Sequence, residues 1–426
     1  MNIDSSALTK KILIAMVAGI VAGLGAYLIR EYTQFGSSNA WLMFSNVFSN
    51  GLVDVVGKVF VNSLKVLVVP LVFVSLVCGV ASLKDASSVG VMSVKTLGLY
   101  FLTTALAISL ALLLASLFLA GADAAVGGSA PYTPQESPGL KAVLIDVFPS
   151  NIVDAMANGK MLPIIVFAIL FGLAINQVGE PASQVLRFFE ALDKVIMQFV
   201  CLVMYIAPYG VFCLLYAMFE ETGWEHITKL ISYFFTVFSV LILHIVLTMS
   251  ALLVLFTGLN PLILLSKMRE LWMFAFSTAS SSASIPLTLD TVKSKLGVKD
   301  HVAAFTVPLG ATINMDGTAI MQGVATVFIA NVYGIDIGIT GYLAVIATAT
   351  LASVGTAGVP GVGLITLAMV LEQAGLPVEG IALIIGVDRL LDMIRTAVNV
   401  TGDAIVSTIV AKSEGQLDEQ AYKQSS

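Results

Sequence analysis

Charge is scarce in this 426-residue chain: Asp, Glu, Lys and Arg together make up 11%, against 58% hydrophobic residues and a mean hydropathy of +0.96. Soluble domains carry about 25% charged residues, so a water-exposed globular class is excluded and a polytopic membrane protein is expected. The formal net charge of −6 says little about partners, because in such a chain the placement of Lys and Arg matters more than their sum. Nothing supports nucleic-acid binding. Cysteine is scarce as well: Cys78, Cys201 and Cys213 lie in apolar runs without metal spacing or pairing logic, which leaves small buried or lipid-facing side chains. The three histidines, His226, His244 and His301, are far in sequence from the serine-rich stretch Ser280 to Ser282. A serine hydrolase would lack a base there, and an enzyme is not expected. Lys10-Lys11 before the apolar Ile12 to Leu28 has the outline of a signal peptide but no A-x-A site with a polar mature start, so it reads as the first span.

What is present is a series of apolar runs near 11–30, 52–82, 96–121, 161–178, 195–219 and 230–257, most of them about the 20 residues needed to cross a bilayer. The run at 52–82 is too long for an upright helix and predicts tilt. Residues 121–140, rich in Gly, Ala, Pro and Ser, read as an extramembrane loop. Residues 141–160, interrupted by Pro149, Asn151, Asp154 and Asn158, read as short pieces. Beyond Ser413 the chain turns polar, and 414–426 is expected to be a disordered cytoplasmic tail.

Basic residues set the orientation. Lys10, Lys11, Lys84 and Lys95 place the N-terminus and the second connection inside, and the loop 121–140, without Lys or Arg, outside. Two runs break the alternation. Lys267 and Arg269 precede Leu271 to Leu289, and Lys293, Lys295 and Lys299 follow it, so both ends of that run prefer the cytoplasm. Conversely, from His301 to Asp388 there is no Lys or Arg, so the run Tyr342 to Met369 enters and leaves from outside. Each has small polar residues and a proline at its centre: Ser277 to Ser284 with Pro286, and Ser353 to Gly363 with Pro360. Irregular backbone at membrane depth is tolerated only against protein or a water-filled cavity. Two re-entrant hairpins of opposite orientation are therefore predicted, each followed by a span with polar residues at its middle. Pro286 and Asp316 are 30 positions apart, Pro360 and Asp392 are 32, which supports an inverted repeat with a site at its interface, as in secondary transporters.

The chemistry concentrates in the last span. Asp388, Asp392, Arg395, Thr396, Asn399 and Asp403 fall within an arc of roughly 100° on a helix, and ionisable groups at that depth need partners or work. After the first hairpin, Thr312-Ile313-Asn314-Met315-Asp316-Gly317-Thr318 is flanked by apolar sequence, and Gly310 and Gly317 weaken the helix there. An unwound turn would offer carbonyls, a carboxylate and an amide oxygen to a hard cation. Asp316, Asp388, Asp392 and Asp403 outnumber Arg389 and Arg395, an imbalance that bound cations would relieve. The Arg395 fork suits a carboxylate, and Asp392, one turn earlier, suits an ammonium. The competing reading is an Asp392–Arg395 pair that only stabilises the helix.

These motifs resemble the glutamate/aspartate transporter family, the dicarboxylate/amino acid:cation symporters. The resemblance runs from Lys10 to Lys412 through Ser280-Ser281-Ser282, Asn314 to Thr318, Gly355-Thr356-Ala357-Gly358-Val359-Pro360-Gly361 and Asp392 to Asp403. It implies an all-α polytopic membrane protein in the cell (inner) membrane, with both termini cytoplasmic. Eight transmembrane helices and two oppositely oriented re-entrant hairpins would form inverted repeats and assemble as a homotrimer of elevator type. The implied scaffold is 11–85 and 141–227. The implied transport domain is 86–120 and 228–413, with hairpins at about 261–295 and 339–374 and spans at about 301–331 and 379–411. By the same likeness substrate is held by Arg395, Asp392, Thr318, Asn399, Thr396, Ser281, Val359 and Gly363. Sodium would be held by Gly310, Asn314, Asn399 and Asp403; by Thr312, Ser353, Val354 and Thr356; and by Tyr100, Thr103, Thr104, Asn314 and Asp316. The acids at 316 and 403 favour sodium coupling over protons, and having both Asp392 and Arg395 favours L-aspartate or L-glutamate over C4-dicarboxylates or neutral amino acids. Ala279 and Met393 stand where relatives carry an arginine, while Arg389 is an arginine without an assigned role.

Overall fold

The computed structural model describes residues 5–33, 36, 38–81, 86–119, 148, 150–158, 160–222, 225–353, 358 and 360–424. The expected loop 121–140, Lys84, and five residues of the second hairpin tip (Val354, Gly355, Thr356, Ala357 and Val359) lie outside them. Among the described residues the fold is helical, with a single isolated antiparallel bridge between Val298 and Leu417.

The first half comprises α1 (Ser5–Tyr32), α2 (Asn39–Phe44), α3 (Asp54–Ala81), α4 (Ala86–Phe118), α5 (Ile152–Ala157), α6 (Met161–Val178) and α7 (Ser183–Thr222). Wide π-helical turns over Ser45–Val53 join α2 to α3, making the 40-residue apolar stretch Asn39–Cys78 that the long run at 52–82 foreshadowed. The 40-residue α7 contains Pro208 and bends by 44° between Glu180–Val203 and Tyr205–Glu221. In α1, Gly19 and Gly23 lie against the backbone of Phe212 and Tyr216 in α7, where a Cβ would collide. That small-xxx-small seam lets two helices approach where lipid supplies no hydrophobic drive.

The second half contains α8 (Glu225–Leu243), a π-helical turn over His244–Met249, α9 (Ser250–Thr257), α10 (Pro261–Lys267), α11 (Arg269–Thr278), α12 (Ser281–Asp290), α13 (Asp300–Ile313), α14 (Asp316–Tyr333), α15 (Gly338–Ser353), α16 (Val362–Gln373), α17 (Ile381–Ser413) and α18 (Glu419–Lys423). The helix pairs α11/α12 and α15/α16 pack against each other and occupy the two predicted hairpins. Ala279 (φ 48°) takes a left-handed turn at the first break, and Ser280 caps α12 by accepting the N–H of Ala283. At the second break Gly361 (φ 84°) starts α16 in a conformation that suits glycine. Between α13 and α14 the backbone is extended at Asn314 and irregular at Met315, the unwound turn expected there.

Among the described residues four helices are long and apolar enough to cross a membrane, or five if the bent pair in α7 is one span. The others divide for local reasons: the Asn314–Met315 break halves one apolar stretch, and α17, 33 residues long, carries Asp388, Arg389, Asp392 and Arg395 within eight positions.

The C-terminal segment departs from expectation, because it is folded and docked. Lys299 N–H donates to Gln416 O (3.1 Å) and Asp418 N–H to Gly297 O (2.8 Å). The buried ammonium of Lys267 donates to the carbonyls of Lys295 (2.7 Å), Ala421 (2.9 Å) and Tyr422 (2.8 Å). Tyr422 is fully buried, and its hydroxyl donates to Asn260 O at 2.9 Å. Burial pushes that phenol up to about 12.

Candidate binding site

The two helix breaks meet. Ser280 Oγ donates to the carbonyl of Gly358 (2.6 Å), and Ser282 N–H donates to the same oxygen (3.1 Å). Ser281, between them, is buried. Against this junction lies the polar face of α17. Arg395 is wholly buried, giving one nitrogen to Asp388 Oδ1 and another to Asp392 Oδ1, both at 2.8 Å. Its Nε, also buried, has no hydrogen-bond partner among the described residues. Asp392 Oδ2 accepts the N–H of Gly361 (3.1 Å) and lies 3.6 Å from Arg389. Thr396 donates back to Asp392 O (2.8 Å). Gly363 sits beside both Thr318 and the Arg395 guanidinium: a Cβ there would stand 3.3 Å from Thr318 Cγ2 and 3.4 Å from Arg395 Nη2. Of the eight candidate substrate residues, Val359 lies outside the described residues.

The competing internal pair of Asp392 and Arg395 is therefore formed. It is part of a ring in which two carboxylates share one guanidinium, so each charge has a partner that offsets part of the desolvation cost an isolated buried charge would carry. An arriving carboxylate can take a nitrogen of Arg395 from an aspartate, and an arriving ammonium can take the carboxylate that is released.

A second cluster lies beneath. Asn314 Nδ2 donates to Asp403 Oδ1 (2.9 Å) and Asn399 O (3.1 Å), while Asn399 Oδ1 accepts the N–H of Gly317 (2.8 Å). Gly310 packs on Asp403 Oδ1 and the Tyr100 hydroxyl. The Oδ1 of Asn314 is buried with no hydrogen-bond partner among the described residues. Asp316 Oδ1 accepts from Thr104 (2.6 Å) and Thr103 (3.3 Å). Of the candidate set Tyr100, Thr103, Thr104, Asn314 and Asp316, the structure joins Thr103 and Thr104 to Asp316, while the Tyr100 hydroxyl donates to Thr306 O (3.0 Å) and Asn314 bonds to Asp403 and Asn399. Among the described residues no three His, Cys, Asp or Glu side chains group as a metal site. What remains is carboxylate, amide, hydroxyl and carbonyl oxygen, a donor chemistry for hard, weakly held cations. In the third set, Thr312 and Ser353 each donate to their own helix, at Pro308 O (3.1 Å) and Thr350 O (2.7 Å). Val354 and Thr356 fall outside the described residues.

His244 was not among the expected residues. It is fully buried in the π-helical turn after α8, with Nε2 3.3 Å from Asp316 Oδ2. The available signal was a lone ionisable residue inside the apolar run 230–257. Its sequence distance from Ser280 to Ser282 speaks against a base for those serines and says nothing of Asp316.

Comparison with known proteins decides the family. Residues 8–413 match the sodium:dicarboxylate symporter family. The chain belongs to the sodium:dicarboxylate symporter family. A proton/sodium-glutamate symport protein of Bacillus caldotenax is 33% identical over 378 residues, 87% of this chain and 89% of the relative. A proton/glutamate-aspartate symporter of Escherichia coli K12 is 34% identical over 425 residues, 96% and 93% of the two chains. An excitatory amino acid transporter of Caenorhabditis elegans is 34% identical over 402 residues, 83% and 80%. A member of this symporter family is a secondary transporter, not an enzyme, and the buried ring on α17 belongs to a membrane protein whose two bacterial relatives above are named for glutamate and a cation.

Proposed function

We propose that this protein is a sodium-coupled symporter importing L-aspartate or L-glutamate. The observation that carries the reading is the sharing of Arg395 between Asp388 and Asp392 at the junction of the two helix breaks. Arg395 takes the substrate's side-chain carboxylate, and Asp392, released from that nitrogen, takes its ammonium. Thr318, Thr396 and Asn399, with the backbone at Ser281, Val359 and Gly363, orient the rest. A zwitterion with one extra carboxylate is the ligand that satisfies both exchanges without leaving a charge bare.

The sodium ions are co-substrates. One is held by Gly310, Asn314, Asn399 and Asp403; another by Tyr100, Thr103, Thr104, Asn314 and Asp316; a third by Thr312, Ser353, Val354 and Thr356. The partnerless oxygen of Asn314 supports the first two. The architecture is eight spans and two re-entrant hairpins in a cell-membrane homotrimer with cytoplasmic termini. A transport body (86–120 and 228–413) slides against a scaffold (11–85 and 141–227).

Purified full-length protein in proteoliposomes should take up labelled L-aspartate when an inward Na⁺ gradient is imposed, and Arg395→Ala should abolish it. The second reading, proton coupling, is favoured by the Escherichia coli relative, a proton/glutamate-aspartate symporter, while the Bacillus caldotenax relative is named for proton and sodium alike. Equal uptake under a pH gradient in Na⁺-free buffer would establish it and sink the sodium assignment.

A further inference from the structure

Asp392 is held from two sides. Arg395 occupies Oδ1 at 2.8 Å, and Arg389, three residues before it on α17, stands 3.6 Å from Oδ2. Arg389 is 9% exposed, so its charge acts in a largely desolvated place. Position 389 is about 20° from position 396 around the helix and two turns, about 10 Å, away along it. Arg389 therefore lies on the same stripe as Thr396. Counting the ring with Arg389 included, two guanidinium groups face the two carboxylates Asp388 and Asp392, so the cluster is balanced before any ligand arrives.

That balance matters for ligand choice. An ammonium approaching Asp392 competes with a cation already at Oδ2. A dicarboxylate without an amino group leaves Asp392 with no new partner, and Arg389 still compensates it. We propose that Arg389 is a specificity-determining residue of the acidic amino-acid site, setting how strongly the site prefers an amino acid to a plain dicarboxylate. The inference rests on the reading of Asp392 and Arg395 given above. Without Arg389, Asp392 keeps, among the described residues, Arg395 and the Gly361 N–H, and its demand for an ammonium rises.

The test is competition against labelled L-aspartate uptake by the full-length protein in proteoliposomes, using unlabelled L-aspartate and succinate. Arg389→Ala and Arg389→Gln should raise the ratio of half-inhibitory succinate to half-inhibitory aspartate by roughly tenfold, and Arg389→Lys should hold it near the native value. A ratio unchanged in both neutral variants overturns the proposal, as does a parallel rise of both concentrations, the signature of a merely structural role. If the neutral variants do not reconstitute, the same ratio is read from ligand-induced thermal shifts of detergent-purified Arg389→Gln and Arg389→Lys. Native protein that takes up no L-aspartate would overturn the reading of the site itself. Native uptake with an unchanged ratio overturns only the role of Arg389.

Discussion

Gly310 is one of the residues of the proposed ion site, and its side chain is a single hydrogen atom. A Cβ there would fall on Asp403 Oδ1 and the Tyr100 hydroxyl. Gly310→Ala is expected to raise the Na⁺ concentration for half-maximal aspartate uptake by roughly tenfold or more, because displaced oxygens cost a hard-cation site its geometry. A Na⁺ titration of uptake in proteoliposomes measures it, and an unchanged midpoint would remove Gly310 from the ion site. At this scale the legibility of the site was uneven. Asp392, Arg395 and Asn399 declared themselves as polar residues on one face of an apolar helix. Tyr100, Thr103 and Thr104 did not: hydroxyl side chains at helical spacing look like packing, and only the resemblance singled them out. His244 reaches Asp316 across 72 positions of chain, a distance that no local pattern encodes.

Helices here end where composition changes, so the elements were easier to read than their contacts. Small and polar residues around Pro286 and Pro360 marked the two breaks, and Gly310 and Gly317 marked the turn at Asn314. The C-terminal segment reads as disordered in sequence because its apolar residues, Leu417, Ala421 and Tyr422, are few. Its partners are supplied from elsewhere, by the Lys267 ammonium and the Asn260 carbonyl. Tyr422 thus fastens α18 to the start of the first hairpin. Emptying a buried aromatic site costs roughly 3–5 kcal/mol. Tyr422→Ala, or a chain ending at Ser413, is therefore expected to melt several degrees lower in detergent. Tyr422→Phe, which keeps the ring and loses one hydrogen bond, should fall by much less, about 1 kcal/mol in stability. Equal melting temperatures for Tyr422→Ala and the native protein would show that the docking contributes nothing to stability.

Over the whole molecule two packed groups stand out. In one, α1 and α3 pack on α7, and α6 packs on α3; in the other, α4, α8, α13 and α14 surround α17. They meet where α17 crosses α7 and α16 touches α3. At the first crossing Gly386 faces Leu215, whose Cδ2 would be 3.1 Å from an added Cβ. A sliding transport body requires this contact to break in every cycle, whereas a rigid molecule that opens only its hairpin tips leaves it intact. In a background without Cys78, Cys201 and Cys213, Leu215→Cys with Gly386→Cys, joined by a short thiol-reactive linker, should stop uptake. Aspartate binding should survive, since Arg395 lies on α17 within the second group. Linked protein that still transports at the unlinked rate would rule out sliding at this surface, and the hairpins alone would then have to carry the substrate across.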